Sequence, residues 1–283
     1  MAKSSAAIVM DGTVLAEKIL EATARRAIDF YSQTGRSPCL AAVLVGEDPA
    51  SMTYVKMKRA RCQVAGLDSR LIHLPAFSTT AQVVSAVRRL SDDSTVDGIL
   101  LQHPVPSQID ERRAFEAIVP DKDVDGVTTS SFAAMSLGLP GFVSCTPAGI
   151  LRLLDEYDVD PSGKRAVVIG RSPILGRPVG MLLLGRDATV TFCHSKSQDL
   201  STIVRTGEIV VAAVGNPNLV RGSWLRPGAV VIDAGYYQGG VGDVNFEEAL
   251  PVASFITPVP GGVGPMTIAV LLEQTVTAAE QRL

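Results

Sequence analysis

The sequence predicts an α/β protein of two domains, of which the second is doubly wound and Rossmann-like, with a cleft between them. The length of 283 residues exceeds that of a typical single domain. Short apolar runs rich in β-branched residues alternate with segments of helical periodicity in both halves, which predicts parallel sheets covered by helices. A stretch rich in Gly, Pro and Ser, Ser136 to Pro147, is predicted to connect the halves.

The first half contains three candidate strands and three candidate helices that alternate along the chain. The strands are predicted at Leu40–Val45, Ser69–Leu74 and Asp97–Leu101, and the helices at Gly12–Tyr31, Ser51–Ala65 and Thr79–Ser91. The second of these helices carries an apolar stripe that is expected to pack on the sheet. The stripe consists of Met57, Ala60, Val64 and Leu67.

The second half repeats this alternation with short runs that suit strands buried on both faces. These strands are predicted at Ala166–Ile169, Ala188–Phe192, Ile209–Val214 and Ala229–Asp233. Near the end, Pro258 to Thr267 is too rich in Gly and Pro for helix or strand, and the apolar run Ile268–Leu272 follows it. We predict a rigid loop that opens a helix. Its bare N–H groups suit close approach to a flat ligand or a phosphate, although tight connections use the same residues.

Composition excludes several classes of function. The net charge of -3 and the pI of about 5.7 argue against a broad nucleic-acid interface, which requires a basic face. No stretch approaches the ~20 apolar residues of a spanning helix, so no membrane partner is expected. Met1 to Met10 lacks the features of a secretory signal. The four cysteines are scattered without the spacing of a zinc or redox motif, which favours a reducing, cytoplasmic setting.

A second Gly-rich segment, Gly170–Pro178, follows the predicted strand Ala166–Ile169. Gly170 ends the strand and Gly176 opens a helix. The spacing departs from Gly-x-Gly-x-x-Gly, so the usual dinucleotide fingerprint does not match. The exposed N–H groups and helix N-terminus of such a turn nevertheless suit a pyrophosphate. From spacing alone, dinucleotide binding and a plain connection both remain open.

The end of the next strand bears on the choice of nicotinamide cofactor, because a carboxylate there would hold the free ribose hydroxyl of NAD. This strand ends in Phe192 to Lys196, which contains no acid. Ser195 and Lys196, together with Arg171, can hold a 2′-phosphate through hydroxyl and charge-assisted hydrogen bonds. These residues predict NADP. Taken alone, Lys196 fits a solvated loop charge equally well.

Five segments together resemble the signatures of one family, in the family's order. They are Tyr54–Lys58 (Tyr-x-x-x-Lys), Gly98–Pro104, Asp121–Gly126, Gly170–Pro178 and Pro258–Thr267. The chain resembles the methylenetetrahydrofolate dehydrogenase/methenyltetrahydrofolate cyclohydrolase family, the bifunctional folate enzymes. The resemblance extends over nearly the whole chain.

The resemblance implies NADP-dependent oxidation of 5,10-methylenetetrahydrofolate, followed by hydrolysis of the methenyl product to 10-formyltetrahydrofolate. It places the protein in one-carbon metabolism and the supply of formyl groups for purine biosynthesis. It also implies a homodimer formed through the nucleotide half. The domains are expected at 1–140 for folate binding and catalysis and at 141–264 for NADP, with a C-terminal helix, 265–283, packed back on the first domain.

Residue by residue, the resemblance assigns catalytic roles to Lys58, Gln102 and Asp125. Asp125 is expected to accept hydrogen bonds from the pterin amino and ring N–H groups. Tyr54, one helical turn before Lys58 and so on the same face, is expected to pack against the folate's aromatic portion. The other implied substrate contacts are Pro260, Gly261 and Gly262. The implied cofactor contacts are Gly170, Arg171, Ser172, Gly176, Pro178, His194, Ser195, Gly215, Tyr236 and Thr267.

Without the family, Lys58 is not distinguished from Lys56, and helix lysines usually solvate a face. Hydrolysis requires proton movement, which a partly neutral lysine can provide. Neighbouring cations or partial burial would disfavour the charged form of Lys58, and Gln102 could orient it. Gln102 follows the predicted strand Asp97–Leu101, and open α/β sheets bind ligands at the carboxyl ends of strands. A loop glutamine facing water is the alternative.

The acidic run Asp121–Gly126 also matches the first half of an EF-hand calcium loop. The match fails further on, because Phe132 occupies the position of the bidentate Glu and Pro120 stands where an entering helix would run. We therefore predict no metal.

The chain departs from the family pattern at three places. His103 stands where a leucine is usual. Val127–Ser131 replaces an aromatic-His-Pro-x-Asn run, and Ala234–Tyr237 replaces a Val-Gly-Ile-Asn pattern. These changes bear on cofactor preference and relative rates. The alternatives are a dehydrogenase that lacks the cyclohydrolase step and a non-catalytic NADP-binding module with a degenerate substrate domain.

Overall fold

The computed structural model describes residues 7–237 and 239–283, except the side chain of Ala50. The strands are β1 (Ile8–Val9), β2 (Cys39–Val45), β3 (Asp68–Leu74), β4 (Gly98–Leu101), β5 (Arg165–Ile169), β6 (Thr189–Cys193), β7 (Ile209–Ala212), β8 (Val230–Asp233) and β9 (Phe255–Ile256). The α-helices are α1 (Gly12–Thr34), α2 (Pro49–Val64), α3 (Thr80–Asp92), α4 (Glu111–Phe115), α5 (Thr129–Ser136), α6 (Cys145–Glu156), α7 (Gly176–Leu184), α8 (Leu200–Thr206), α9 (Phe246–Ala249) and α10 (Val263–Glu280).

The chain forms two compact units, each with its own sheet. The three-stranded unit consists of Glu17–Cys145 and Ile268–Leu283, and the six-stranded unit consists of the chain up to Ala16 together with Thr146–Thr267. All paired strands of both sheets run parallel, so the predicted parallel α/β architecture is confirmed.

The sheet of the three-stranded unit has the order β3-β2-β4. The central strand β2 is buried along its whole length, as expected for a parallel strand covered on both faces. β4 is buried throughout. The residue that directly follows β4 lies at the carboxyl edge of this sheet. That residue is Gln102.

The sheet of the six-stranded unit has the order β1-β9-β8-β7-β5-β6. β6 lies on one side of β5 and β7 on the other, so the strand order reverses at β5. Open α/β sheets bind ligands outside the carboxyl ends of the strands at such a switch point. The loops that follow β5 and β7 therefore occupy the position expected for a nucleotide.

Helices extend into two segments that the sequence analysis assigned to loops. α10 begins at Val263, within the predicted loop Pro258–Thr267, and α6 begins at Cys145, within the predicted connection Ser136–Pro147. Both predictions were wrong at these ends because a proline does not exclude the first turn of a helix. Pro265 and Pro147 lie in the first turn of their helices, where the missing N–H has no intrahelical partner to lose.

The segment Pro258–Gly262 does form a loop, and the start of α1 holds it. The backbone N–H groups of Gly12 and Thr13 both donate to the Gly261 carbonyl, at 2.9 and 3.1 Å. A Cβ on Gly12 would lie 1.8 Å from the Gly262 carbonyl oxygen. Only glycine at position 12 allows this approach.

Within the described ranges, no helix is long and apolar enough to cross a lipid bilayer. Cys39, Cys62, Cys145 and Cys193 are all free and buried.

Candidate active site

Lys58 lies on α2, whose start is fixed by local sequence. The Asp48 carboxylate caps the helix by accepting a hydrogen bond from the Ser51 N–H at 2.8 Å, and Pro49 occupies the first turn. This start determines which side chains face the sheet.

The buried face of α2 differs from the predicted apolar stripe. Val55 and Cys62 are buried, whereas Met57 and Val64 are 42% and 75% exposed. The predicted stripe of Met57, Ala60, Val64 and Leu67 was therefore wrong for the helix itself. The observed buried face repeats at helical spacing, and Lys58 lies within it, partly exposed, between Val55 and Cys62.

Gln102 orients the Lys58 amine. The Gln102 backbone N–H continues the sheet ladder by donating to Val43 at 2.8 Å. Its side-chain Nε2 donates to the His103 carbonyl at 2.7 Å, which leaves Oε1 to accept a hydrogen bond from Lys58 Nζ at 3.1 Å. Gln102 is 7% exposed, so it is not a loop glutamine facing water, and its contact with the partly exposed Lys58 is partly buried.

Burial lowers the pKa of the Lys58 amine below its ordinary value. The negative charge of Asp125 opposes this shift and favours the protonated amine. Of the two causes considered from sequence, neighbouring cations and burial, the structure therefore selects burial. Because Oε1 of Gln102 can only accept, a neutral Lys58 amine donates one N–H to it and keeps its lone pair for a proton from another molecule.

A hydrogen-bonded turn holds Asp125. The buried Asp123 carboxylate accepts from the backbone N–H groups of Val127 and Thr128, at 3.1 and 2.9 Å, and from the Ser131 hydroxyl at 2.6 Å. The Val127–Ser131 run, which departs from the family pattern, thus forms the capped start of α5. Both carboxylate oxygens of Asp123 thus accept hydrogen bonds from within the protein. Among the described residues, no group of His, Cys, Asp and Glu is arranged to hold a metal ion.

A residue that the sequence analysis missed, Gln274 on α10, fastens the other side of this turn. Its Nε2 donates to the carbonyls of Val124 and Val143, both at 2.8 Å, and its Oε1 accepts from the Val143 N–H at 3.1 Å. The Cys145 thiol donates to the Val124 carbonyl at 3.1 Å. α10 also carries other polar side chains, such as Glu273 and Thr275, so no feature of the sequence singled out Gln274.

The Gly-rich turn after β5 is closely packed in the six-stranded unit. A Cβ on Gly170 would lie 2.1 Å from the Ala213 carbonyl oxygen, and one on Gly176 would lie 2.5 Å from that of Gly170. The Ser172 hydroxyl accepts hydrogen bonds from the backbone N–H groups of Leu175 and Gly176 at 3.1 and 3.3 Å, and so holds the turn that leads into α7. Pro178 is buried in the first turn of α7.

Three polar side chains are exposed at the carboxyl ends of the paired strands β5 and β6. They belong to Arg171, Ser195 and Lys196. His194 stabilises the loop that carries Ser195 and Lys196. Its side-chain Nδ1 accepts a hydrogen bond from the Lys196 backbone N–H at 3.1 Å, and its own backbone N–H donates to the Ser197 hydroxyl at 2.9 Å. This arrangement offers two cations and a hydroxyl to an anion.

The remaining predicted site residues also lie in the six-stranded unit. Gly215, after β7, is exposed and has a φ of +69°. Tyr236 is 58% exposed, and the Thr267 hydroxyl is hydrogen-bonded to that of Thr146 at 2.9 Å. Pro260–Gly262 belongs to this unit as well. Lys58, Gln102 and Asp125, with Tyr54, lie in the three-stranded unit.

Comparisons with known proteins cover almost the whole chain. Residues 10–125 match the model of the tetrahydrofolate dehydrogenase/cyclohydrolase catalytic domain, and residues 144–283 match the NAD(P)-binding domain of the same family. The chain is 64% identical over 283 residues to bifunctional protein FolD 1 of Streptomyces avermitilis, covering 100% of this chain and 99% of that protein.

Solved structures agree with this result. The bifunctional FolD methylenetetrahydrofolate dehydrogenase/cyclohydrolase of Campylobacter jejuni matches with a TM-score of 0.94 at 43% identity, over 97% of this chain and 99% of that chain. The FolD enzyme of Trypanosoma brucei, solved with NADP cofactor and an inhibitor, matches with a TM-score of 0.92 at 35% identity, over 98% and 99% of the two chains.

Proposed function

Because the chain belongs to the tetrahydrofolate dehydrogenase/cyclohydrolase family, we propose that it oxidises 5,10-methylenetetrahydrofolate with NADP and hydrolyses the product to 10-formyltetrahydrofolate. The observation that carries the hydrolytic step is the Lys58–Gln102 hydrogen bond of 3.1 Å at an amine whose pKa burial lowers. Retention of this pair favours the bifunctional enzyme over a dehydrogenase without the cyclohydrolase step.

The oxidation requires positioning and no protein base. The methylene carbon between N5 and N10 of the folate loses a hydride, and a cation shared by the two nitrogens remains. When bound, NADP supplies the nicotinamide ring that accepts this hydride. We assign to Tyr54 and Asp125 the placement of the folate, since accurate placement of reacting atoms accounts for much of the rate of such a step. Pro260, Gly261 and Gly262 are proposed to contact the folate as well.

The hydrolysis moves protons, and we propose that Lys58 moves them. Water adds to the methenyl carbon, and the neutral Lys58 amine accepts the proton that the water loses. The bond from this carbon to N5 then breaks, N5 receives a proton from Lys58, the hydroxyl on the carbon loses its proton to solvent, and the resulting formyl group remains on N10. Gln102 keeps the amine lone pair directed at the substrate through the bond to Oε1. The net reaction consumes one water and releases one proton.

Purified protein tests both steps. With 5,10-methylenetetrahydrofolate and NADP it should form NADPH, and with 5,10-methenyltetrahydrofolate it should accelerate hydrolysis in the absence of cofactor. NADPH formation without accelerated hydrolysis would identify a monofunctional dehydrogenase. If the protein showed neither activity, the result would indicate a non-catalytic NADP-binding module.

NADP fits the residues at the turn after β5. Glycine at positions 170 and 176 lets this turn pack closely on the backbone of Ala213 and of Gly170 itself. The turn leads directly into the N-terminus of α7, a position that suits a pyrophosphate. We assign pyrophosphate contacts to this turn with Ser172 and Pro178, contacts with the 2′-phosphate to Arg171, Ser195 and Lys196, and further cofactor contacts to His194, Gly215, Tyr236 and Thr267.

We expect kcat/KM to be higher with NADP than with NAD, and Arg171→Gln to lower the value for NADP by about tenfold through loss of a charge-assisted contact. Steady-state assays with both cofactors measure this. NAD lacks the 2′-phosphate and is the internal control, because its kcat/KM should stay the same. A wild-type preference for NAD, or an equal loss with both cofactors, would contradict the assignment.

We further propose that the protein forms a homodimer through the six-stranded unit. We propose that it acts in the cytoplasm, where its product supplies formyl groups for purine biosynthesis. Family membership and the four free, buried cysteines support these assignments. Light scattering should give twice the chain mass of 29.8 kDa. A monomer mass at assay concentration would refute the dimer, and recovery of the enzyme outside the cytoplasmic fraction of its cells would refute the location.

A further inference from the structure

Asp243 is fully buried and binds the loop that follows β7. Its Oδ2 accepts hydrogen bonds from the N–H groups of Val214 and Gly215 at 2.7 and 3.2 Å, and its Oδ1 accepts from the N–H of Asn216 at 2.8 Å. Three consecutive backbone donors of one loop thus converge on a single carboxylate. Hydrogen bonds to a buried carboxylate are charge-assisted, so this is a strong local constraint.

A second buried carboxylate fixes the backbone on which Asp243 stands. Asp233, at the end of β8, accepts from the N–H groups of Gly235 and Asp243, both at 2.9 Å, and from that of Val244 at 2.8 Å. Burial raises the pKa of Asp233 to about 6, against the effect of these three donors. The two carboxylates therefore join the loops that leave the neighbouring strands β7 and β8.

Glycine spacing confirms that this arrangement is tight. A Cβ on Gly242 would lie 2.0 Å from Asp233 Oδ2, and one on Gly235 would lie 2.6 Å from the Asp243 carboxyl carbon. No larger residue at either position fits beside the two acids.

The loop held by Asp243 lies against the proposed phosphate turn. The Ala213 N–H donates to Ile169 at 2.8 Å, and the Ala213 carbonyl oxygen is the atom that a Cβ on Gly170 would meet at 2.1 Å. Gly215 and Asn216, two and three residues further on, are exposed. The segment thus borders the switch point of the sheet, where a nucleotide is expected.

We propose that Asp243 is a positioning residue for the dinucleotide: it fixes the exposed Gly215–Asn216 edge against the Gly170 turn and does not touch the cofactor itself. The Asp243 carboxylate accepts the hydrogen bonds of the N–H groups of residues 214–216, so these donors are not available to a phosphate. The loop then contributes to cofactor binding through the shape of its exposed surface. The proposal rests on the proposed function, because it takes NADP as the ligand of this unit.

The test is Asp243→Asn in the full-length protein. The amide has one acceptor oxygen, so its NH₂ faces either the Asn216 N–H or the Val214 and Gly215 pair, and at least one bond is lost. We expect KM for NADP to rise by about tenfold or more. KM for 5,10-methylenetetrahydrofolate and the hydrolysis of 5,10-methenyltetrahydrofolate, which uses no cofactor, should stay within about twofold. Assays at pH 8 keep Asp233 ionised.

Two controls separate positioning from loss of folding. Trp224, the single tryptophan of the chain, packs against the core of the six-stranded unit, so its emission reports whether this unit is folded. Asp187→Asn changes an exposed carboxylate in the same unit, at a φ of +62° that asparagine tolerates, and should leave KM for NADP unchanged.

An unchanged KM for NADP in Asp243→Asn, or an equal loss of cofactor-free hydrolysis, overturns the proposal. If Trp224 emission shows that this variant unfolds, Asp243→Glu decides, since it keeps a carboxylate but is one methylene longer. Its KM for NADP should be at least severalfold raised, and the wild-type value would overturn the proposal. If the wild-type protein does not oxidise the folate, the proposed function fails separately, and calorimetric Kd values for NADP still test Asp243.

Discussion

Lys58→Met should slow hydrolysis of 5,10-methenyltetrahydrofolate by a factor of about 10²–10⁴, the usual contribution of a general acid–base group, and retain part of the dehydrogenase activity. Methionine is likewise unbranched and only one heavy atom shorter, but it cannot accept or donate a proton. The oxidation step transfers a hydride and needs no base, so it should lose only what the amine contributes to folate placement. Both rates are measured on the same preparation.

Lys56→Met is the matched control, because Lys56 lies on the same helix two residues earlier and is exposed. It should retain both activities. An equal loss of the two activities in Lys58→Met would contradict the division between positioning and proton transfer. Wild-type hydrolysis in that variant would exclude Lys58 as the proton-transfer group.

The pH dependence of the wild-type hydrolysis provides a second arm of this test. Burial lowers the pKa of Lys58, so the neutral amine becomes populated at lower pH than in an ordinary lysine. The rate, after subtraction of the uncatalysed reaction, should rise with pH and level off below the ordinary lysine pKa of about 10.4. Lys58→Met should lack this rise. A wild-type rate that falls as pH increases through this range would contradict a neutral-amine mechanism.

The order of strands and helices could be predicted from sequence because each half alternates apolar runs with helical periodicity. The face of α2 could not be predicted in the same way. Met57 and Val64 are apolar yet exposed, whereas Lys58, which is charged in water, lies on the partly buried face of the helix. Hydrophobicity alone assigns such a lysine to the solvent, and only the packed helix shows that its amine is removed from water.

The partners of the site residues were beyond sequence reasoning for a different reason. Gln274 binds Val124 and Val143 across more than 130 positions of sequence, and Asp243 binds Val214 from 29 positions away. Local propensity carries no information about such contacts. The loop glycines were visible in the sequence, but the acids and amides that hold these loops were not.

Asp97→Asn should destabilise the three-stranded unit by about 3 kcal/mol, the low end of the cost of breaking a buried ion pair. Asp97 is fully buried. Its Oδ2 accepts from Arg36 at 2.7 Å and from the Cys39 N–H at 2.9 Å, and its Oδ1 accepts from Arg36 at 2.9 Å and from Arg282 at 3.2 Å. Among the described residues, every hydrogen-bond partner of this carboxylate is a donor, so an asparagine NH₂ would face a donor in either orientation. The low end applies because the two arginine side chains are about one third exposed and can rehydrate.

Glu280→Gln is the matched control, since it also neutralises a carboxylate that binds one arginine through both oxygens in the same unit. Both partners of the Arg26–Glu280 pair are about one third exposed, so the change should cost about 1 kcal/mol or less. Urea unfolding followed by circular dichroism measures both variants, and hydrogen exchange of the β2 amides localises the effect. Because Asp97 binds the first N–H of β2, these amides should exchange faster only in Asp97→Asn. Equal, small losses in the two variants would show that burial of Asp97 does not strengthen its contacts.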